Sequence, residues 1–87
     1  MNCCFIIGNV LNEPVFKFFY MKKHTSICCF SVNLNECKGN HINVFALDNT
    51  ADYVFQKIHK GQKILIDGSL YSKKSHIYVK INTIKVL

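Results

Sequence analysis

The sequence has no arginine, although eleven of its 87 residues are lysine. Without a guanidinium group, no side chain can form the bidentate pair that reads guanine in base-specific recognition. The formal net charge is nevertheless +6, which favours anionic partners, nucleic acid first, through long-range attraction and counterion release. A lysine-rich surface that only keeps the protein in solution is the alternative interpretation of this charge.

Long apolar runs are also missing, because Asn, Gly or Glu interrupts each one well short of the ~20 residues that a membrane span needs. The N-terminus carries no basic segment ahead of an apolar one, so no signal peptide is predicted. With 87 residues, of which 49% are hydrophobic, the chain is long enough for one domain and too apolar to be disordered. We therefore expect a single domain over residues 1–87. Many Lys, Asn and Ile residues with no Arg suggest an AT-rich genome, and we expect a bacterial cytoplasm or an organelle such as a plastid.

Metal-binding and catalytic patterns are absent as well. The five cysteines include no C-x-x-C spacing, which argues against a disulfide framework and against a zinc site. No glycine-rich phosphate loop occurs, and Asp48, Asp52 and Asp67 have no obvious second carboxylate for acid–base work. We expect reduced, structural cysteines, no cofactor, no metal and no enzymatic activity.

Alternating apolar residues predict β strands along most of the chain. On the segment ICCFSVNL, for example, Cys28, Phe30, Val32 and Leu34 share one face. Phe16 and Phe18 share a parity, and we expect both in or near the core. The phase of alternation changes after Ile81, which predicts a bulge or bend near Asn82–Thr83. The predicted β segments are 3–11, 15–20, 27–34, 42–47, 63–71 and 76–87.

A single helix is predicted between segments 42–47 and 63–71. Its apolar stripe has the spacing i, i+3, i+4 and i+7 and consists of Ala51, Val54, Phe55 and Ile58. Asp48 or Asn49 is expected to cap its start, and Gly61 to stop it. We predict an all-β, five-stranded OB-fold barrel with this helix between the third and fourth barrel strands; the six predicted segments are one more than such a barrel uses. Gly8 and Gly68, at core-facing strand positions, fit the sharp bends of so small a barrel.

Three stretches carry a resemblance to a known family. The opening MNCCFIIGNVLNEPVFKF resembles the start of bacterial and organellar single-stranded DNA-binding proteins, and FSVNLN (30–35) is similar to their second strand. The stretch ALDNTADYVFQKIHKGQKILIDGSL (46–70) resembles the end of their third strand, their helix and their fourth strand. The resemblance implies an OB-fold that binds single-stranded DNA with little sequence preference, in replication, repair or recombination; RNA is the alternative ligand. The sequence shows no acidic C-terminal tail, and in this respect it resembles the primosomal replication protein branch of the family.

The sequence departs from the family at its base-stacking positions. These fall at Lys38 or its neighbour, His41, Leu47 and Ser75, and only His41 keeps a ring. Phe45 could replace the lost stacking; burial under a loop or a partner subunit is the alternative. Two lysine-rich tips are candidate phosphate contacts, one at Lys22–Lys23 and one at Lys73–Lys74, the latter flanked by Tyr71 and His76. The candidate nucleic-acid-binding residues are Lys17, Tyr20, Lys22, Lys23, Lys38, His41, Asn43, Phe45, Tyr71, Lys73 and Lys74.

The apolar pattern of the first strand predicts that the protein forms a homo-oligomer. Following the family register, Cys4, Ile6, Gly8 and Val10 should face the interior of the barrel. Several apolar residues are then left outside, which is too much exposed apolar surface for a small soluble monomer. The resemblance implies a homodimer, with a homotetramer as the alternative, joined through these residues: Cys3, Phe5, Ile7 and Leu11. A rival hypothesis is an OB-fold protein–protein interaction subunit with weak or no nucleic-acid binding.

Overall fold

A computed structural model describes residues 2–21, 24–34 and 39–87. Within these ranges the chain forms six strands and one helix. Their bounds are β1 Cys4–Val10, β2 Val15–Met21, β3 His24–Leu34, β4 His41–Leu47, α1 Asp48–Lys57, β5 Lys63–Lys73 and β6 His76–Val86. The predicted segments are all present, and β3 begins three residues earlier than its pattern indicated.

The strands form one sheet in the order β1-β5-β6-β4-β3-β2, and β1 pairs in addition with β3. The second pairing of β1 closes a ring of five strands, β1, β5, β6, β4 and β3. Neighbours in the ring are antiparallel except for β4 and β6, which are parallel. The helix follows β4, the third ring strand along the chain, and precedes β5. The predicted five-stranded OB-fold barrel is confirmed.

Strand β2 lies outside this ring and pairs only with β3. The break between β1 and β2 is held by hydrogen bonds to β3. The Leu11 N–H donates to the Ser31 carbonyl oxygen at 2.8 Å, and the Ser31 N–H donates to Asn12 Oδ1 at 2.9 Å. The chain therefore leaves the barrel after Val10 and continues along the same edge of β3, pairing with the N-terminal part of that strand.

The core of the barrel is made by the residues that the alternation placed inside. Cys28, Phe30 and Val32 of β3 are buried, and Leu34 at its end is half-buried. The same inward face of the remaining elements contributes Val10, Val44, Ala46, Ala51, Val54, Ile58, Ile64, Ile66, Val79 and Ile81. The predicted interior of β1 is also confirmed, since Cys4 and Ile6 pack against this cluster.

The prediction that Phe18 lies in or near the core is wrong. Its side chain is 79% exposed, because β2 extends beyond the ring that encloses the core. Phe16 does pack against the core, and its ring centroid lies 5.0 Å from that of Phe18 and 5.1 Å from that of Phe55. Phe55 is 53% exposed. It therefore lies at the edge of the apolar stripe of the helix and is not a core residue.

The start of α1 also differs from the prediction. Leu47, in extended conformation, occupies the N-cap and makes no side-chain capping hydrogen bond, so neither Asp48 nor Asn49 is the cap. Asp48 instead lies in the first turn, with a left-handed φ of 53°, where its charge suits the positive end of the helix. At the other end Ile58 is the C-cap, and its N–H donates to the Val54 carbonyl at 2.9 Å.

The bulge predicted near Asn82–Thr83 is confirmed. Asp67 pairs with Thr83 while the next residue, Gly68, pairs with Ile81, so Asn82 is the extra residue of β6. This insertion reverses the phase of the strand and brings Ile84 into contact with the core. No helix within the described ranges is long and apolar enough to cross a membrane.

Close strand contact requires glycine at two inward positions. A β-carbon at Gly8 would lie 2.3 Å from the Asn33 carbonyl oxygen and 2.7 Å from Val32 Cγ1. One at Gly68 would lie 2.4 Å from the Lys80 carbonyl oxygen and 2.7 Å from Val79 Cγ1. Real β-carbons do not approach backbone oxygen this closely, so both strands depend on the missing side chain.

We expect Gly68→Ala to lower the free energy of unfolding by about 1–3 kcal/mol, because the added methyl group must displace backbone in a packed barrel. Urea unfolding monitored by circular dichroism would measure the change. The control is Ser72→Ala, on the exposed end of the same strand. Equal stability of the two variants would contradict the role of close backbone approach.

Candidate nucleic-acid interface

The outer face of β4, β6 and β5 gathers aromatic and basic side chains. Residues in register on neighbouring strands point to the same side of a sheet. Asn43 is in register with Tyr78, which is in register with Tyr71. One row further, Phe45 aligns with Lys80 and Lys80 with Ser69. We call this surface the β4–β6–β5 face; its members are His41, Asn43, Phe45, Ser69, Tyr71, Lys73, His76, Tyr78 and Lys80.

The aromatic rings of this face contact one another. The ring centroids of Phe45 and Tyr71 are 5.8 Å apart in an edge-to-face arrangement, which is a favourable geometry for two rings. Phe45 is half-buried, whereas Tyr71 is 49% exposed. The His76 and Tyr78 rings lie 6.5 Å apart. Exposed ring surface of this kind is what an unpaired base can stack upon.

The charge on the β4–β6–β5 face has one sign. Its ionisable members are two lysines, two histidines and two tyrosines, and none is a carboxylate. Glu13 lies elsewhere: its carboxylate accepts the Lys60 N–H at 3.3 Å and lies 3.7 Å from the His59 Nδ1. Asp67 is the next outward residue of β5 beyond Ser69, at the Lys80 end of the face. A polyanion therefore meets lysine without a competing carboxylate of the face at the Lys73 end.

Comparison with known proteins identifies the family. Residues 1–78 match the model of the single-strand binding protein family. The chain belongs to this family. No match was found among curated proteins.

Solved structures agree on the fold. The SSB domain of a Synechococcus protein superposes with a TM-score of 0.83 at 13% identity, over 97% of this chain and 93% of that one. The second single-stranded DNA-binding protein of Mycobacterium smegmatis gives 0.81 at 22% identity, over 98% and 87%. The single-stranded DNA-binding protein of Thermus aquaticus gives 0.86 at 18% identity, with all of this chain covering 40% of that one.

Five of the predicted nucleic-acid residues lie together on the β4–β6–β5 face: His41, Asn43, Phe45, Tyr71 and Lys73. Lys74 is exposed in the turn that follows β5, with a φ of 50°. Lys17 is exposed on β2, in register with Ile27, which is in turn in register with Leu47 of β4. Lys17 thus shares the outer side of the sheet but is separated from β4 by β3. The remaining predictions, Lys22, Lys23, Lys38 and the side chain of Tyr20, lie outside the described residues.

Tyr78 and Lys80 are members of the face that sequence reasoning missed. The parallel pairing of β4 with β6 places them next to Asn43 and Phe45. The alternation of β6 carried a signal, since both residues are out of phase with the buried Val79 and Ile81. Alternation does not specify the neighbouring strand, however, so the pattern alone could not bring them to this site.

Asn2 fixes the edge of the face in a way that the sequence did not indicate. Its Nδ2 donates to the Leu70 carbonyl at 2.8 Å, and its Oδ1 accepts the Leu70 N–H at 2.9 Å. This pair of hydrogen bonds continues the β1–β5 ladder through a side chain and holds the backbone immediately before Tyr71. On β4, Asn43 is oriented by the Ser31 hydroxyl, which donates to Asn43 Oδ1 at 2.7 Å.

The predicted interface residues of β1 are exposed. Phe5 is 72% exposed and Ile7 51%, and Cys3 and Leu11 are exposed as well. Phe5 is in register with Asp67 and Ile7 with Leu65 of β5. Phe5 and Leu65 also line a shallow groove of about 360 Å³ with Lys85. The sequence therefore located an apolar outer surface correctly.

The four described cysteines are free thiols, and no cluster of three metal-ligating side chains occurs among the described residues. Burial raises the pKa of Cys28 to about 11, with a further contribution from Cys29. Burial also raises the pKa of Cys29, against the opposing influence of Lys17. Desolvation favours the neutral thiol in both cases, so these groups are poor nucleophiles in the folded protein.

The buried Cys28 thiol should make stability fall in alkaline solution. Its pKa is raised from an ordinary 9.0 to about 11 in the folded chain, so the unfolded state loses this proton first. Stability is intact below pH 9 and declines between pH 9 and 11, by up to about 2 kcal/mol. Urea unfolding at pH 8.5 and 10.5 should show a larger loss for wild type than for Cys28→Ala. The exposed Cys3→Ala is the control and should follow wild type; an identical loss in all three proteins would contradict the assignment.

Proposed function

We propose that residues 1–87 form a single OB-fold domain that binds single-stranded DNA with little sequence preference, through the β4–β6–β5 face. The observation that carries the proposal is the Phe45–Tyr71 ring pair, with lysines and no carboxylate on the same face. Membership of the single-strand binding protein family supports it. Two solved structures that share the fold are named as single-stranded DNA-binding proteins, which supports DNA as the ligand.

The chemistry of the face suits a sequence-tolerant ligand. Lys73 and Lys80 are flexible point charges that neutralise phosphates without reading bases. Phe45 and Tyr71 offer ring surface, and every base has a face that can stack. Lys17 and Lys74, which lie outside this face, and Tyr20, Lys22, Lys23 and Lys38 are proposed as further nucleic-acid-binding residues. The protein acts in this proposal as a binding module rather than an enzyme, in DNA replication, repair or recombination, in a bacterial cytoplasm or an organelle such as a plastid.

A labelled ~30-nucleotide oligo-dT titrated at two salt concentrations tests the proposal. Binding should weaken steeply as salt rises, with a slope of log affinity against log salt of about −0.7 for each phosphate neutralised. An oligo-U of the same length is the comparison for RNA. Absence of binding at low salt would refute the proposal.

Tyr71→Ala should weaken oligo-dT binding by about 1–3 kcal/mol, the usual contribution of one stacked base. The matched control is Tyr53→Ala, because Tyr53 is similarly exposed, at 45% against 49% for Tyr71, but lies on α1. Fluorescence anisotropy at one salt concentration measures both variants. Equal affinity of the two would place the binding path away from the β4–β6–β5 face.

We further propose a homodimer in which the outer side of β1 is covered by a second copy. Phe5 and Ile7 expose apolar area that is costly to leave in water, and a two-fold interface requires one self-complementary patch. A dimer also joins two β4–β6–β5 faces on one strand, so that the second contact benefits from effective concentration. Pairing of dimers into a tetramer is the further possibility.

Replacing Phe5 and Ile7 together by lysine should give a monomer that binds oligo-dT more weakly than wild type. The added positive charge would by itself strengthen binding, so weaker binding must reflect lost assembly. Sedimentation velocity at micromolar concentration measures the oligomeric state. Phe18→Lys is the control, since Phe18 is equally exposed but lies on β2. A wild-type protein that sediments as a monomer would overturn the assembly model.

A further inference from the structure

The parallel strands β4 and β6 both begin with a histidine, His41 and His76. Asn43 is in register with Tyr78, two residues further along each strand, so the two histidines start their strands at the same level. On the other side of β6, His76 is in register with Lys73. All three side chains are exposed. One end of the β4–β6–β5 face therefore carries two imidazoles and one ammonium group.

We propose that His41, His76 and Lys73 form a phosphate-binding subsite whose charge depends on pH, so that nucleic-acid binding takes up protons. This inference rests on the proposed function, because it concerns the same face. The ligand is a phosphodiester of the bound strand. Lys73 supplies a permanent positive charge, and the two histidines supply up to two more when protonated.

Histidine changes charge between about pH 5 and 8. A phosphate beside an imidazole favours the protonated form, since the attraction exists only for the cation. Linkage requires the converse, that protonation strengthens phosphate binding. Affinity for a single strand should therefore rise as pH falls through this range.

Among the described residues, the ionisable groups that adjoin the subsite include no carboxylate. They are Lys73 and Tyr71 of β5, Tyr78 of β6 and Lys74 of the turn. On β3 the residue in register with His41 is Asn33, which is neutral. No carboxylate belongs to the face, so a protonated imidazole here has no internal partner among its members and is available to a phosphate.

His59 provides the contrast within the chain. Its Nδ1 lies 3.7 Å from the Glu13 carboxylate, so its protonated form already has an anionic partner. It lies beyond the end of α1, and it belongs to no part of the β4–β6–β5 face. Its substitution should leave the pH dependence of nucleic-acid binding unchanged.

The test measures oligo-dT binding by the full chain at pH 5.5 and 8.0, each over a series of salt concentrations. Wild type should bind roughly tenfold more tightly at pH 5.5 at a fixed salt concentration, as expected for two additional exposed ion pairs. Its salt slope should steepen by up to about 1.4, or about 0.7 for each added phosphate contact. Calorimetry at pH 6.5 in two buffers of different ionisation enthalpy should show net proton uptake on binding.

Histidine variants test which side chains cause the pH dependence of oligo-dT binding. His41→Gln with His76→Gln should lose most of the pH dependence and proton uptake; the readout is the ratio of its affinities at pH 5.5 and 8.0, so a change in its affinity at pH 8.0 does not decide the test. His59→Gln should behave as wild type. The inference is overturned if wild type binds equally at both pH values, or if the double variant retains the full pH dependence, which would assign it to His24 or His59. Absence of binding at both pH values and low salt would instead remove the proposed function itself.

Discussion

The close approach of backbone to backbone at Gly8 and Gly68 is the constraint on which the rest of the structure depends. At Gly8 the first strand is in register with Ile64 of β5 on one side and with Leu34 of β3 on the other. That double pairing closes the ring, and it is possible only because no β-carbon occupies the space taken by the Asn33 carbonyl. At Gly68 the register shifts by one residue, and the resulting bulge turns β6 so that it can reach both β5 and β4. A barrel of so few strands has no other room for sharp curvature.

Closure determines which surfaces are left for function. Because β1 takes the open edge of β3 at one end, β2 is displaced to a position outside the ring. Because β6 must then join β4 in parallel, the outer side chains of β6 stand between those of β4 and β5. The β4–β6–β5 face is therefore a product of topology. Its aromatic and basic residues come from β4 and from the β5–β6 hairpin, which α1 separates along the chain.

The sequence was sufficient for those features that depend on local periodicity. Alternation of apolar residues predicted the buried sides of β1, β3 and β4, the bulge at Asn82 and the two glycines. It failed for Phe18, because parity indicates a side of a strand but not whether the core extends that far. It missed Tyr78 and Lys80 for the related reason that their neighbour, β4, is not adjacent in sequence. The helix start was misjudged because a left-handed Asp48 replaced the usual polar cap.

The barrel and its outer face place different demands on the sequence, and this explains how the chain shares its fold with relatives of low sequence identity. At 13–22% identity the fold is retained with TM-scores above 0.8, since closure needs only apolar alternation, a few small residues and a bulge. The outer face is under no such requirement, and there the side chains are free to change.

Where the family resemblance implies several stacking rings, this chain places His41, Leu47 and Ser75. On the β4–β6–β5 face, Phe45 and Tyr71 contact each other edge to face. In the proposed binding mode, a face without arginine has little means of reading bases, so phosphate charge would supply much of the affinity. Weak contacts of that kind benefit from being repeated along one DNA strand. In the proposed dimer a second barrel would supply the repeat, and it would join through the exposed apolar side of β1.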